Sequence, residues 1–209
     1  MSKAPVVEES EIRHMVKVAS ITGQSKERDV ALLWVAYGTG MMPIEIAKLL
    51  VGDYLAEDGS VRDESEIRAD IAFNGIARPL FWSNKSVVNA LNAYLAARTK
   101  DGFPTYRDSP LFLTAVGRPF TFTKRITPAG VESYSCESLT QIIRRLHTQA
   151  GIEGGSALSA RRTFGVRLHR KGYDLRHIQA LLGAQSLTAV KRMVDADPVR
   201  LGSIVSRVV

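Results

Sequence analysis

Few side chains in this 209-residue chain have both the reactivity and the neighbours that chemistry requires. Cys136 is the only cysteine, which excludes an internal disulfide and a multi-cysteine zinc site. A lone thiol is more often a small core residue than a nucleophile. His169 and His177 stand on either side of a glycine turn with no carboxylate at ligand spacing, so neither a metal centre nor a cofactor is expected. The cationic residues are the organised ones. From Ser138 to Val209 there are 12 Lys or Arg against 4 Asp or Glu, a balance of +8, and the whole chain is +7, leaving 7 − 8 = −1 for the first 137 residues. The chemistry open to such a basic half is binding a polyanion, the alternative being solvated helix surface. Within it, "SLTQIIRRLHTQ" sets Ser138, Thr140, Gln141, Arg144 and Arg145 near one helical stripe at spacings of three and four. Arg161 and Arg162 follow in "SARRTFGVRLHRKG", and Lys191 and Arg192 in "LTAVKRMV". Arg78 in "NGIARPLF" could reach a groove, although a lone hairpin arginine is more often simply exposed.

The elements that must position these residues are mostly helical. "SEIRHMVKVAS" has Ser10 as its expected N-cap and apolar Ile12, Met15, Val16 and Ala19 at helical spacing. "KERDVALLWVAYGTG" is a second helix ended by Gly38 and Gly40, and "IEIAKLLVGDY" after Pro43 a third. "SVRDESEIRADIAFNGIARPLFW" predicts short strands around a turn at Asn74-Gly75. "NKSVVNALNAYLAART" returns to helix. Residues 101–130 lack a period and are rich in Gly, Pro, Thr and Phe, which predicts a long loop or linker. Four further helices follow, the first capped by Ser138 and the later ones punctuated by Gly151, Gly172 and Gly183. The fold class expected is mainly α with a small β-hairpin. Hydrophobic residues make up 45% and no apolar run approaches the roughly 18 needed to span a bilayer. "MSKAPVVEESEIRHM" has no signal-peptide core, so the expected location is the cytoplasm, with no membrane partner.

Several strings, in order, resemble the catalytic domain of the tyrosine recombinases, the phage integrase family. "YGTGMMPIEIAKLLVGDY" is similar to that family's "TGxRxxELxxLxxxD" segment, and "NGIARPLF" to its hairpin, which ends in Arg and a short apolar strand. "SLTQIIRRLHTQAGI" resembles its DNA-facing helix. "SARRTFGVRLHRKGYDLRHIQALLGAQSL" resembles "HxLRHTFATHLLxxGxDLxxIQxLLGHSS". The resemblance implies a single recombinase-like unit over 11–197, between a tail at 1–10 and a docking tail at 198–209, with no room for the separate N-terminal core-binding domain. It also implies a chemistry. A tyrosine attacks a DNA phosphate and becomes a covalent phosphotyrosine, arginines and histidine-type donors hold the oxygens, and a hairpin lysine protonates the leaving oxygen.

Carried over position by position, most of that set is replaced. The first arginine falls at Met42, the lysine near Asn74, the histidine of "HxLR" at Leu158, the histidine after "LLG" at Ala184 and the nucleophile at Met193. Arg161 alone is retained, either to hold backbone phosphate or to pin an acidic side chain. No tyrosine occurs after Tyr173, and no arginine lies between Arg28 and Arg62 to stand in for the one replaced at Met42. An apolar set here turns a phosphate pocket into an oily one that can close and pack. The expectation is therefore a protein that does not cleave DNA but binds the duplex, with the "SLTQIIRRLHTQ" helix resembling a major-groove reader in which Gln suits adenine and Arg suits guanine. Such a protein would be a regulator or accessory factor in mobile-element recombination. The alternatives are an interaction module that pairs with a complete recombinase, and a recombinase with relocated catalytic groups. The tail residues Val199, Leu201, Ile204, Val205 and Val208 are apolar enough to need covering, either by the chain's own body or by a neighbour.

Overall fold

The computed structural model describes residues 4–23, 25–126, 130 and 132–195. Helix α1 (Glu9–Thr22) buries Ile12, Met15 and Ala19, the stripe that its apolar period dictates. Its N-cap is Glu8 rather than Ser10, because the Glu11 carboxylate reaches back to accept the Glu8 N–H at 2.7 Å. The body begins before this helix. Val7 is buried and its N–H donates to Thr163 Oγ1 at 2.9 Å.

Helix α2 (Lys26–Thr39) runs through the centre, with Ala31, Leu32, Leu33, Val35 and Ala36 all buried. Gly38 does not end it. A Cβ there would lie 2.6 Å from Val87 Cγ2, so its role is to let the α2 backbone approach α5 (Lys85–Lys100). The stop is Gly40, in the left-handed region at φ +67°, where a Cβ would lie 2.8 Å from both Leu182 Cδ2 and Phe164 Cδ1. The segment expected as one helix after Pro43 is two, α3 (Pro43–Lys48) and α4 (Val51–Tyr54). Between them Leu49 and Leu50 are extended, since the Leu49 carbonyl accepts the Leu111 N–H at 2.6 Å and Leu50 bridges Pro110.

Strands β1 (Glu64–Ile67) and β2 (Arg78–Phe81) pair antiparallel, Glu64 opposite Phe81 and Ile67 opposite Arg78. The connection is the whole of 68–77, not a two-residue turn. Asn74-Gly75 lies inside it, and the Asn74 side chain donates instead to the Gly183 carbonyl. Helix α5 starts at the expected Asn84, which accepts from Ser86 N–H at 2.9 Å.

Most of 101–122 is tied down rather than free. Leu111, Phe112, Leu113 and Phe120 are buried, and the buried Arg98 donates to the carbonyls of Pro104, Pro110 and Leu111. The segment then enters a second antiparallel pair, β3 (Thr123–Ile126) with β4 (Glu132–Ser135), which the lack of a sequence period did not suggest. Helices α6 (Glu137–Gln149), α7 (Ala157–Arg170), α8 (Leu175–Leu182) and α9 (Leu187–Val194) complete the described chain. The main core joins α1–α7 and the first hairpin, and a smaller one joins Ile178, Leu182 and Val190 with Phe164, Leu168 and Met193. The fold is thus mainly helical with two small antiparallel sheets.

Candidate nucleic-acid interface

The first two turns of α7 gather the dispersed positions. Arg161 donates through Nη1 to the Gly40 carbonyl at 2.9 Å and through Nη2 to the Leu182 carbonyl at 2.5 Å. Arg162 donates to the carbonyls of Met193, at 3.4 Å, and Ala4. Met42 follows Gly40 by two residues, Ala184 follows Leu182 by two, and Asn74 bonds the intervening Gly183. The segments carrying Met42, Asn74, Leu158, Ala184 and Met193 therefore converge around one helix start.

Their side chains do not all close into an oily plug. Met42 is buried, its backbone N–H donating to Glu45 Oε2 at 2.8 Å. Met193 is half-buried against Gly165, where a Cβ would come within 3.0 Å of its sulfur. Ala184 is half-buried beside the smaller core. Leu158 is 56% exposed and lines an open hollow of about 570 Å³ shared with Arg144, Thr148, Gly155 and Ser156. The expected collapse holds for the two methionines and fails for Leu158, because the second residue of α7 points away from the body.

Two arginines expected at a DNA surface are interior. Arg78 is 3% exposed, and its guanidinium grips Glu45 two-pronged, Nη1 to Oε1 and Nη2 to Oε2, both at 2.7 Å. Glu45 also accepts the N–H groups of Met42 and Phe73, each at 2.8 Å, so one fully buried carboxylate ties α3 to the hairpin loop. Arg78 is a structural pin because its strand faces the core at that register. Arg161, 7% exposed, is a pin as well, though for carbonyls rather than an acidic side chain. Burial lowers its pKa to about 10, with Glu45 opposing the shift and Arg78 adding to it. Arg162 is half-buried and committed to backbone in the same way.

The open cationic surface lies on α6. Leu139, Ile143, Leu146 and His147 are buried, which turns Ser138, Gln141, Arg144, Arg145 and Thr148 outward. Ser138 is not the cap. Cys136 is the N-cap, and Ser138 stands exposed in the first turn. Thr140 lies on the flank, its hydroxyl donating to the Cys136 carbonyl at 2.8 Å, so it leaves the stripe. Gln141 donates to Glu137 Oε1 at 2.7 Å and accepts from Arg144 at 3.5 Å. Arg145 reaches inward to Asp29 Oδ2 at 3.3 Å. Lys191 and Arg192 are exposed on α9. Thr148, Asp29 and Glu45 were not singled out from sequence. Thr148 was legible as four residues beyond Arg144, whereas the two carboxylates carry no local signal. The apolar tail at 198–209 lies outside the described residues.

The family model described as "Phage integrase family" matches residues 5–198, and the chain belongs to that family. Tyrosine recombinase XerD of Listeria innocua serovar 6a is 25% identical over 179 residues, covering 85% of this chain and 53% of that protein. Among solved structures, XerA recombinase superposes with TM-score 0.73 at 21% identity, over 99% of this chain and 65% of that one. XerH recombinase bound to palindromic difH substrate in a post-cleavage complex gives 0.67 at 21%, over 99% and 54%. A lambda integrase dimer bound to a COC' core site gives 0.60 at 12%, over 93% and 49%. These likenesses establish a tyrosine-recombinase catalytic-domain fold, and the chain spans about half the length of the curated relative it matches. No helix among the described residues is long and apolar enough to cross a membrane.

Proposed function

We propose that this chain is a double-stranded DNA-binding protein on the recombinase catalytic-domain fold that does not itself cleave strands, and that it serves as a regulator or accessory factor in the recombination of a mobile element. The observation that carries the reading is that Arg161 is already committed to the Gly40 and Leu182 carbonyls, beside α9, where the family resemblance puts the nucleophile at Met193. Met42, Leu158 and Ala184 offer no donor to a phosphate, and leaving a buried anion without donors costs several kcal/mol. Asn74, near the expected general acid, carries no titratable proton. Binding needs none of these groups. The outward face of α6 offers hydroxyl, amide and guanidinium donors of the kinds that contact phosphates and base edges, and XerH bound to difH substrate and lambda integrase bound to a core site supply the precedent of DNA as the ligand.

A suicide-substrate assay tests the non-cleaving part. The expected result is no covalent protein–DNA species, from either the wild type or Met193→Tyr, since one restored hydroxyl still lacks its phosphate cradle and acid. A denaturant-resistant adduct mapped to any tyrosine overturns it. An electrophoretic shift with fragments from the protein's own genomic neighbourhood tests the binding part. A second reading, pairing with a complete recombinase, is favoured by the apolar Val199, Leu201, Ile204, Val205 and Val208. Truncation after Asp197 distinguishes them: loss of stability in a monomer indicates self-docking, and dissociation of an oligomer into folded monomers indicates exchange.

A further inference from the structure

Arg144 and Arg145 are consecutive on the outward face of α6 but differ in what holds them. Among the described residues Arg144 has a local partner only, Gln141 Oε1 at 3.5 Å, one turn back on the same helix. Arg145 is tethered across the fold. Its Nη2 meets Oδ2 of Asp29, in the first turns of α2, and Asp29 is fully buried. The other oxygen of Asp29 is taken by the buried Arg28, through Nε at 2.9 Å and Nη2 at 2.7 Å. One carboxylate thus serves two guanidinium groups, and the pair of cations exceeds it by one positive charge. Arg145 remains 43% exposed, so the remaining donors of its fork are available to a ligand outside.

We infer that Asp29 is a positioning residue for the nucleic-acid face: it holds Arg145 in one orientation, ready for a phosphate of the DNA backbone, while Arg144 supplies a looser charge. The inference rests on the DNA-binding reading. A guanidinium already held through one nitrogen, Nη2, has less side-chain freedom to lose when its other donors meet a ligand, and that freedom is costly to surrender on binding. Without the carboxylate, two like charges face one another beneath α6, and Arg145 leaves the position it held.

The test is fluorescence anisotropy on a random-sequence duplex, titrated with salt, for the full-length wild type, Asp29→Asn, Arg145→Ala and the double variant. Each neutralised phosphate contributes about 0.9 to the slope of log affinity against log salt. Arg145→Ala is expected to lower that slope by about 0.9, Asp29→Asn to lower it by a similar amount, and the double variant to lose nothing further. A structural role alone would not move the slope. Equal slopes for wild type and Asp29→Asn, or additive losses in the double variant, overturn the inference. Should Asp29→Asn fail to fold, Arg145→Lys decides: a lysine keeps the charge without the fork, so weakened binding supports positioning and full binding overturns it. If wild-type protein does not bind duplex DNA at all, the underlying reading fails and this inference with it. If it binds but Arg145→Ala binds equally well, the positioning role alone fails.

Discussion

Replacing Arg78 with methionine should damage stability and leave DNA affinity untouched. Methionine retains the apolar stem that packs on Gly183, where a Cβ would sit 3.0 Å from Arg78 Cδ, so the change removes the guanidinium with little loss of volume. It leaves Glu45 fully buried with two backbone donors, the Met42 and Phe73 N–H groups, in place of four. Breaking a buried ion pair by removing one partner costs about 3–5 kcal/mol. The two surviving donors and the nearby positive charge of Arg161 place this case toward ~3 kcal/mol, near the bottom of that range. For a chain of this size each kcal/mol shifts the melting temperature by about 2–4 °C, so a drop of roughly 6–12 °C is expected. Urea unfolding measures the free energy directly, and anisotropy on duplex DNA measures the affinity of the protein that remains folded. Glu45→Gln combined with Arg78→Met should cost less than the sum of the two single changes, because each single change strands a charge that the other removes. A loss below about 1 kcal/mol for Arg78→Met, or a fall in affinity with stability intact, refutes the assignment of Arg78 as an internal pin.

Two further outcomes follow from the buried face of α6. His147 donates from Nδ1 to the Ile143 carbonyl at 2.8 Å and accepts the Tyr37 hydroxyl proton at Nε2, 2.7 Å away, so the folded state holds a neutral ring whose pKa burial lowers below its ordinary 6.5. Below that value the unfolded chain binds a proton that the folded chain refuses. Stability should therefore fall as pH drops through 6.5, by at most about 1.4 kcal/mol per unit from this group, and His147→Gln should flatten that part of a urea-midpoint profile. Gly155→Ala would put a Cβ 2.3 Å from His147 Cδ2, and the forced displacement should cost about 1–3 kcal/mol, read as a lowered melting temperature.

The sequence by itself determined most of the helices and the family. An apolar stripe at a 3.6-residue period has to be buried on one side wherever the helix docks, so Ile12, Met15 and Ala19 were legible, as were the Asn84 start and the Gly40 and Gly183 stops. The order of four short strings identified a recombinase-like chain, as the family match over residues 5–198 bears out. The β3–β4 pair was not legible, because both strands are exposed and so lack the alternation that a buried face imposes. Nor was the break between α3 and α4, which answers to Pro110 and Leu111 sixty residues along the chain. Residue type likewise announced the cations but not their partners. An arginine carries the same five donors wherever it stands. Only the tertiary structure decided that Arg78 meets Glu45, that Arg161 and Arg162 meet carbonyls, and that Arg145 is steadied by Asp29 while still facing solvent. A guanidinium's role depends on which acceptors lie within about 3 Å and on whether water can reach it, and chain folding sets both.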